Sequence, residues 1–333
     1  MNMTAASSFD YREFIGDHEG PRLLIMAGIH GDEYLPMLAV QELIDRFDTD
    51  ADLRASLRGS LTLIPIANQS AYERGDRCGA DHTDLARVFP GTPHGNPTEQ
   101  LADALSDPIR KADFFVDLHT GGTELCVFPL AGYTLHRDPS ILEQQRRLAI
   151  AFGLPFVWGT SAELQGRSLS LARDCGVPAI YVEYLGAHRE LAEAVSGAAR
   201  SRAPDHPLVA GCLNVMRLLG LLPKIAAPLP AAGEVPAACE VVAACEVVED
   251  ARPGAGHMQA AHPAPATGFL VPRVELGQTI AAGDLLAEIV TATGGRRHPV
   301  LSEQSGRVVV IRDYPRINQG DAVAVVVESV EAE

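Results

Sequence analysis

The sequence predicts an α/β protein, a mainly parallel sheet flanked by helices, followed by a smaller C-terminal all-β domain. Three observations carry that prediction. Apolar stretches of strand length alternate with stretches of helical period through the first two thirds of the chain. A Pro- and Ala-rich stretch then interrupts the alternation. Beyond it come only short apolar strands and Gly-containing turns.

The first strand, "RLLIMAG", is apolar throughout, as a strand buried on both faces must be. It leads into a helix, "EYLPMLAVQELIDRF", with apolar residues at helical spacing. The next strand, "LTLIPIAN", is followed by an irregular stretch from about Gln69 to Pro97, and loops of that size are more often functional than filler. "PTEQLADALSDPIRKA" reads as a helix with Pro97 near its start, where a missing N–H is tolerated. It feeds the strand "DFFVDLH". After the helical "EQQRRLAIAFG" comes the strand "AIYVEYLG", then the helices "RELAEAVSGAARS" and "LVAGCLNVMRLLGLL". These elements make an α/β domain of residues 1–222.

Residues 223–265 read as a Pro/Ala-rich linker and irregular segment, in which "ACEVV" occurs twice, from Ala238 and from Ala244. Residues 266–333 read as the β domain. Its two halves, "GFLVPRVELGQTIAAGDLLAEIV" and "GRVVVIRDYPRINQGDAVAVVVE", each hold a Gly turn that feeds an apolar strand. That pattern is similar to the barrel-sandwich fold of lipoyl and biotinyl carrier domains. Such carriers are modified on a lysine at a hairpin tip, and the only lysines here are Lys111 and Lys224. Carrier function is therefore excluded.

At 333 residues and 47% hydrophobic content the chain can build two well-formed cores. Its formal net charge of −16 argues against a nucleic-acid partner, which would require clustered positive charge. No apolar run has transmembrane length, and "MNMTAASSFDYREF" has neither a basic head nor an apolar signal core. A cytoplasmic protein with no membrane partner is expected. The six cysteines lie apart with no Cys-x-x-Cys pair, which suits reduced thiols.

Chemistry enters with His30, Glu33 and His119, in "GIHGDE" and "FFVDLHTGG". Two imidazoles and a carboxylate suit zinc, and three protein ligands leave the fourth position to water, as in catalytic sites. Each segment runs from an apolar strand into its ligand, at the carboxyl edge where open α/β sheets place their sites. Gly28 and Gly31 let the backbone turn sharply around His30. A third strand carries Glu183 where its apolar run stops.

"GIHGDE", "DLARVFPG", "DLHTGG" and "VEYLG" resemble, in order and spacing, the succinylglutamate desuccinylase and aspartoacylase family, within the wider zinc carboxypeptidase-like group. The resemblance covers about the first two thirds of the chain. That family cleaves an amide joining an acyl group to the nitrogen of an amino acid or related amine. The resemblance implies one zinc ion held by His30, Glu33 and His119. It makes Glu183 the catalytic glutamate, which takes a proton from the water and delivers it to the leaving amine. Arg77 would polarise the scissile carbonyl, a contribution of about 3 kcal/mol for one good donor. Arg74, one short turn earlier, could exchange roles with Arg77 or bind substrate. Arg87 would grip the substrate carboxylate, where its planar fork suits bidentate pairing.

One position departs from the pattern: Ala86 precedes Arg87 where the family usually has Asn. Alanine donates nothing, so the substrate is expected to differ near that group. Asn68 and Asp117 are lesser candidates, each open to a capping or loop role; Asp117, two residues before His119, is also placed to orient that ligand. The implied partner is a small N-acylated molecule. In family members the β domain covers the active-site mouth or mediates assembly; both remain open here, as does a homo-oligomer. The leading reading is a zinc amidohydrolase that deacylates a small N-acyl amino acid or N-acyl diamine. The alternatives are a zinc carboxypeptidase acting on peptides and a non-catalytic zinc or ligand-binding protein.

Overall fold

The computed structural model describes residues 9–186, 205–224, 245–258 and 261–328. In chain order the α/β part comprises β1 (Arg12–Ile15), β2 (His18–Ala27), α1 (Tyr34–Thr49), α2 (Ala51–Ala55), β3 (Arg58–Ile64) and α3 (Gln69–Arg74). A 3-10 turn at Leu85–Arg87 precedes α4 (Pro97–Lys111), β4 (Phe114–His119), β5 (Leu125–Thr134) and α5 (Pro139–Phe152). β6 (Phe156–Thr160), α6 (Ser168–Asp174), β7 (Ala179–Leu185), α7 (Pro207–Leu219) and β8 (Glu246–Glu249) follow. The rest is all β: β9 (Gly268–Pro272), β10 (Thr279–Ile280), β11 (Leu285–Val290), β12 (Arg297–Leu301), β13 (Gly306–Arg312), β14 (Arg316–Ile317) and β15 (Ala324–Val327).

The heart of the main sheet is β3-β2-β4-β7, all parallel. β1 joins one side antiparallel to β3, and β5 joins the other antiparallel to β7. Strand period decides the layers. Leu23, Ile25 and Ala27 of β2 face a core with α1, α5 and α7, whereas Leu24 and Met26 face one with α4 and α6. The unbroken apolar run of this strand thus reflects burial on both faces. Helix α4 starts at a capping box: Asn96 Oδ1 accepts from Glu99 N at 2.8 Å, and Glu99 Oε2 accepts from Asn96 N at 2.8 Å.

Strands β5 and β6 have no counterpart in the sequence reading. Pro129 and Gly132 interrupt the apolar pattern of β5, and β6 is five residues long with Gly159 inside it. Residues 246–249, which fall in the segment read as linker and irregular, run parallel to β6. The expected helix "RELAEAVSGAARS" and the first "ACEVV" lie outside the described residues.

The smaller β part forms a separate antiparallel sheet, β12-β11-β9-β14, and also lends strands to the large one. β13 pairs antiparallel with the first residues of β5, from Val310↔Val127 to Arg312↔Leu125. Arg312, almost fully buried, pairs with Asp321 of its own part at 3.3 Å and with Glu124 of the α/β part at 3.1 Å, the second tying the two parts together. Among the described residues no helix is long and apolar enough to cross a membrane.

Candidate active site

β2, β4 and β7 end side by side and deliver His30, His119 and Glu183 to one cavity at the carboxyl edge of the sheet. His119 and Glu183 are register partners on adjacent strands. The turn after β2 is held from below. Gly31 N donates to Asp76 O at 3.0 Å, and a Cβ on Gly31 would lie 2.0 Å from the Ala71 carbonyl carbon. Only glycine allows α3 that close. Asp32 Oδ2 accepts from Thr123 N at 2.9 Å, fastening this turn to the loop after β4.

Glu33 is buried between the two histidines. Its Oε1 lies 2.7 Å from His30 Nδ1 and its Oε2 lies 2.9 Å from His119 Nδ1. The far nitrogens are backed by carboxylates: His30 Nε2 is 3.1 Å from Asp84 Oδ1, and His119 Nε2 is 3.2 Å from Asp117 Oδ2. A neutral imidazole that donates from Nε2 presents a lone pair at Nδ1. A protonated Nδ1 donates to the Glu33 oxygen it faces, and a bare one turns its lone pair to the same point, where a divalent cation can take the proton's place. One ligand atom from each of the three residues lies within 4.8 Å of the others, and among the described residues this is the one such group. Histidine nitrogens backed by carboxylates are the usual outer support of a metal site. The donor set therefore fits a divalent ion such as zinc.

Charge in the site is arranged to match. Burial opposes ionisation of Glu33, but the charges of His30 and His119 outweigh it and hold the carboxyl below the usual carboxylate range. Asp84 is held low in the same way, against burial, by His30 and Arg77. Glu183 goes the other way: burial pushes its pKa up to about 8, opposed by His119 and assisted by Glu33.

The arginines separate in space. Arg77 faces the cavity and donates to Asp84 Oδ2 from Nε at 3.1 Å and from an Nη at 3.0 Å. Arg74 closes α3, pairs with Asp76 at 3.5 Å, and is not among the cavity's lining residues. Ala86 and Arg87 line the cavity, and Arg87 donates to the Ala86 carbonyl at 2.8 Å. Asn68 caps α3, accepting from Ala71 N at 3.1 Å. Asp117 lies beside His119 and accepts from the Ser168 hydroxyl.

Arg167 also lines the cavity, and sequence reasoning missed it because "LQGRSLS" carries no apolar signature. Burial, with Arg87 nearby, lowers its pKa to about 10. Burial lowers that of Arg87 too. Both guanidiniums line the cavity, and charge-assisted pairing with an anion would offset their desolvation. Asp84 of "DLAR" carries no sequence signal of its own beside the arginine, yet it touches both His30 and Arg77.

Residues 19–201 match the succinylglutamate desuccinylase/aspartoacylase catalytic domain, more than half of the chain. The chain belongs to that family. It is 30% identical, over 94% of its length and 84% of the relative, to the N-alpha-acetyl-L-2,4-diaminobutyric acid deacetylase of Halomonas elongata. Its fold is similar to a succinylglutamate desuccinylase/aspartoacylase from Rhodobacter sphaeroides, with TM-score 0.78 and 25% identity, covering 97% of this chain and 90% of that one. It is also similar in fold to the ectoine utilization protein EutE (DoeB) from Ruegeria pomeroyi, with TM-score 0.77 and 24% identity, covering 95% and 87%. The family is one of amide hydrolases, deacetylases and desuccinylases.

Proposed function

We propose that this protein is a zinc-dependent deacylase that hydrolyses the amide of a small N-acylated amino acid or N-acylated diamine. One observation carries the reading: both histidine Nδ1 atoms converge on Glu33, and Glu183 and Arg77 face the same cavity. The relative that deacetylates an N-acetyl diaminobutyric acid supports an acetyl group and a diamino acid as the first substrate to try.

Bound zinc would supply a Lewis acid for the carbonyl oxygen and a water of lowered pKa. Glu183 is the proton carrier, taking a proton from the attacking water and returning it to the leaving nitrogen. Its carboxyl, with a pKa of about 8, exchanges a proton readily near neutral pH. Arg77, fixed by Asp84, stabilises the carbonyl oxygen as negative charge develops. Arg87 and Arg167 hold the substrate carboxylate and set the amide against Glu183. Addition of water to the carbonyl and rupture of the C–N bond release a carboxylic acid and an amine.

Glu183→Gln tests the reading. Metal content should stay at wild-type level, because Glu183 is not among the three donors, while kcat falls on the order of 10²–10⁴-fold. Full turnover with metal bound would remove Glu183 from the mechanism.

A further inference from the structure

Tyr181 precedes Glu183 by two residues on β7, so the two side chains leave the same face of the strand. Both line the cavity together with Ala86, Arg87 and Arg167. Across the ladder its partner on β5 is Gly132. A Cβ there would lie 2.2 Å from Tyr181 Cζ and 2.4 Å from its Cε1 and hydroxyl oxygen. The strand thus gives up a side chain at Gly132 to seat this phenol. Thr160 stands beside the hydroxyl, and Thr160 Oγ1 itself donates to the Tyr133 carbonyl at 3.2 Å.

The charged groups that act on the phenol are Glu183, which disfavours its ionisation, and Arg167, which favours it. Burial raises its pKa further, so at working pH the hydroxyl is a donor and never a base. An N-acyl amino acid carries its carboxylate one carbon from the amide nitrogen. Tyr181 lines the same cavity as Glu183, which serves the amide, and as Arg87 and Arg167, which serve the carboxylate. Ala86, in the same cavity, has no side-chain donor to offer.

Resting on the deacylase reading above, we propose that Tyr181 is a substrate-binding residue whose hydroxyl donates to the carboxylate gripped by Arg87 and Arg167, making this a selective site for carboxylate-bearing N-acyl substrates. The test compares wild type and Tyr181→Phe, both zinc-loaded, on Nα-acetyl-2,4-diaminobutyrate, on a panel of N-acetyl amino acids, and on the carboxamide of each. The variant keeps the ring in its seat and removes only the donor. KM for the carboxylate substrates should rise about tenfold or more, as expected for a lost hydrogen bond to a charged group, with kcat within about twofold. The carboxamides should change little, so the preference for a carboxylate shrinks. Calorimetric binding of the released amino acid should weaken by the same factor, independently of turnover.

An unchanged KM and unchanged product affinity in an active enzyme would overturn the proposal while leaving the deacylase reading intact. A fall in kcat at constant KM would also overturn it, because Tyr181 would then act on Glu183. Wild-type enzyme silent on every N-acyl substrate would remove the underlying reading, and this inference with it.

Discussion

Asp84 touches two groups with different tasks, His30 Nε2 at 3.1 Å and the Arg77 guanidinium at 3.0 Å. In the proposed mechanism this one carboxylate would orient a metal donor and aim an oxyanion donor. Asp84→Asn should weaken metal affinity by roughly 10–100-fold, the usual cost of losing such a support, and should lower kcat even at saturating zinc. Metal titration against a fluorescent chelator separates the two effects, and unchanged values of both would refute the dual role. Ala86→Asn asks whether the missing amide matters: installing that donor should raise kcat/KM on N-acetylaspartate or succinylglutamate, and no change on any substrate would count against it. At this scale the sequence was legible where chemistry and pattern coincide. His30, His119 and Glu183 each stand where an apolar run stops, and Asp117 is two residues from its histidine. Arg167 was hidden in a loop without period, and Tyr181 inside a strand that reads as plain core.

Strand ends and the turns after them fix the geometry to which those residues belong. Gly31 carries the closest constraint, because its missing Cβ would overlap the Ala71 carbonyl carbon of α3 at 2.0 Å. Gly31→Ala must push α3 and the His30 turn apart. A destabilisation on the order of 1–3 kcal/mol is expected, with a larger proportional loss of bound metal, measurable as a lower Tm and a lower zinc stoichiometry. A variant with wild-type melting and metal content would contradict the packing described for this turn. Elements with a clear period were readable in advance: β2 because both of its faces are buried, α4 because Asn96, Pro97 and Glu99 mark its start. β5 was not, since Pro129 and Gly132 break its pattern for reasons of pairing and of seating Tyr181.

The whole molecule joins its two folds more tightly than a linker would. β13 extends the main sheet beside β5, and Val309, Val310 and Val325 share an apolar cluster with Phe156, Trp158 and Val248. Gly256 and Met258, just past β8, close the cavity wall. None of this could be read from residues 245–258, whose composition resembles a connector and whose role depends on pairing across the chain. The α/β order itself was legible because alternation of strand and helix leaves few topologies open. On the proposed reading, the cavity at the end of β2, β4 and β7 is a metal-dependent amide hydrolase site. Its test is amine release from Nα-acetyl-2,4-diaminobutyrate and a panel of N-acyl amino acids, by zinc-loaded protein against a chelated control. The expected result is release that chelation abolishes and zinc restores. Release indifferent to chelation, or silence across the panel with zinc bound, would contradict it.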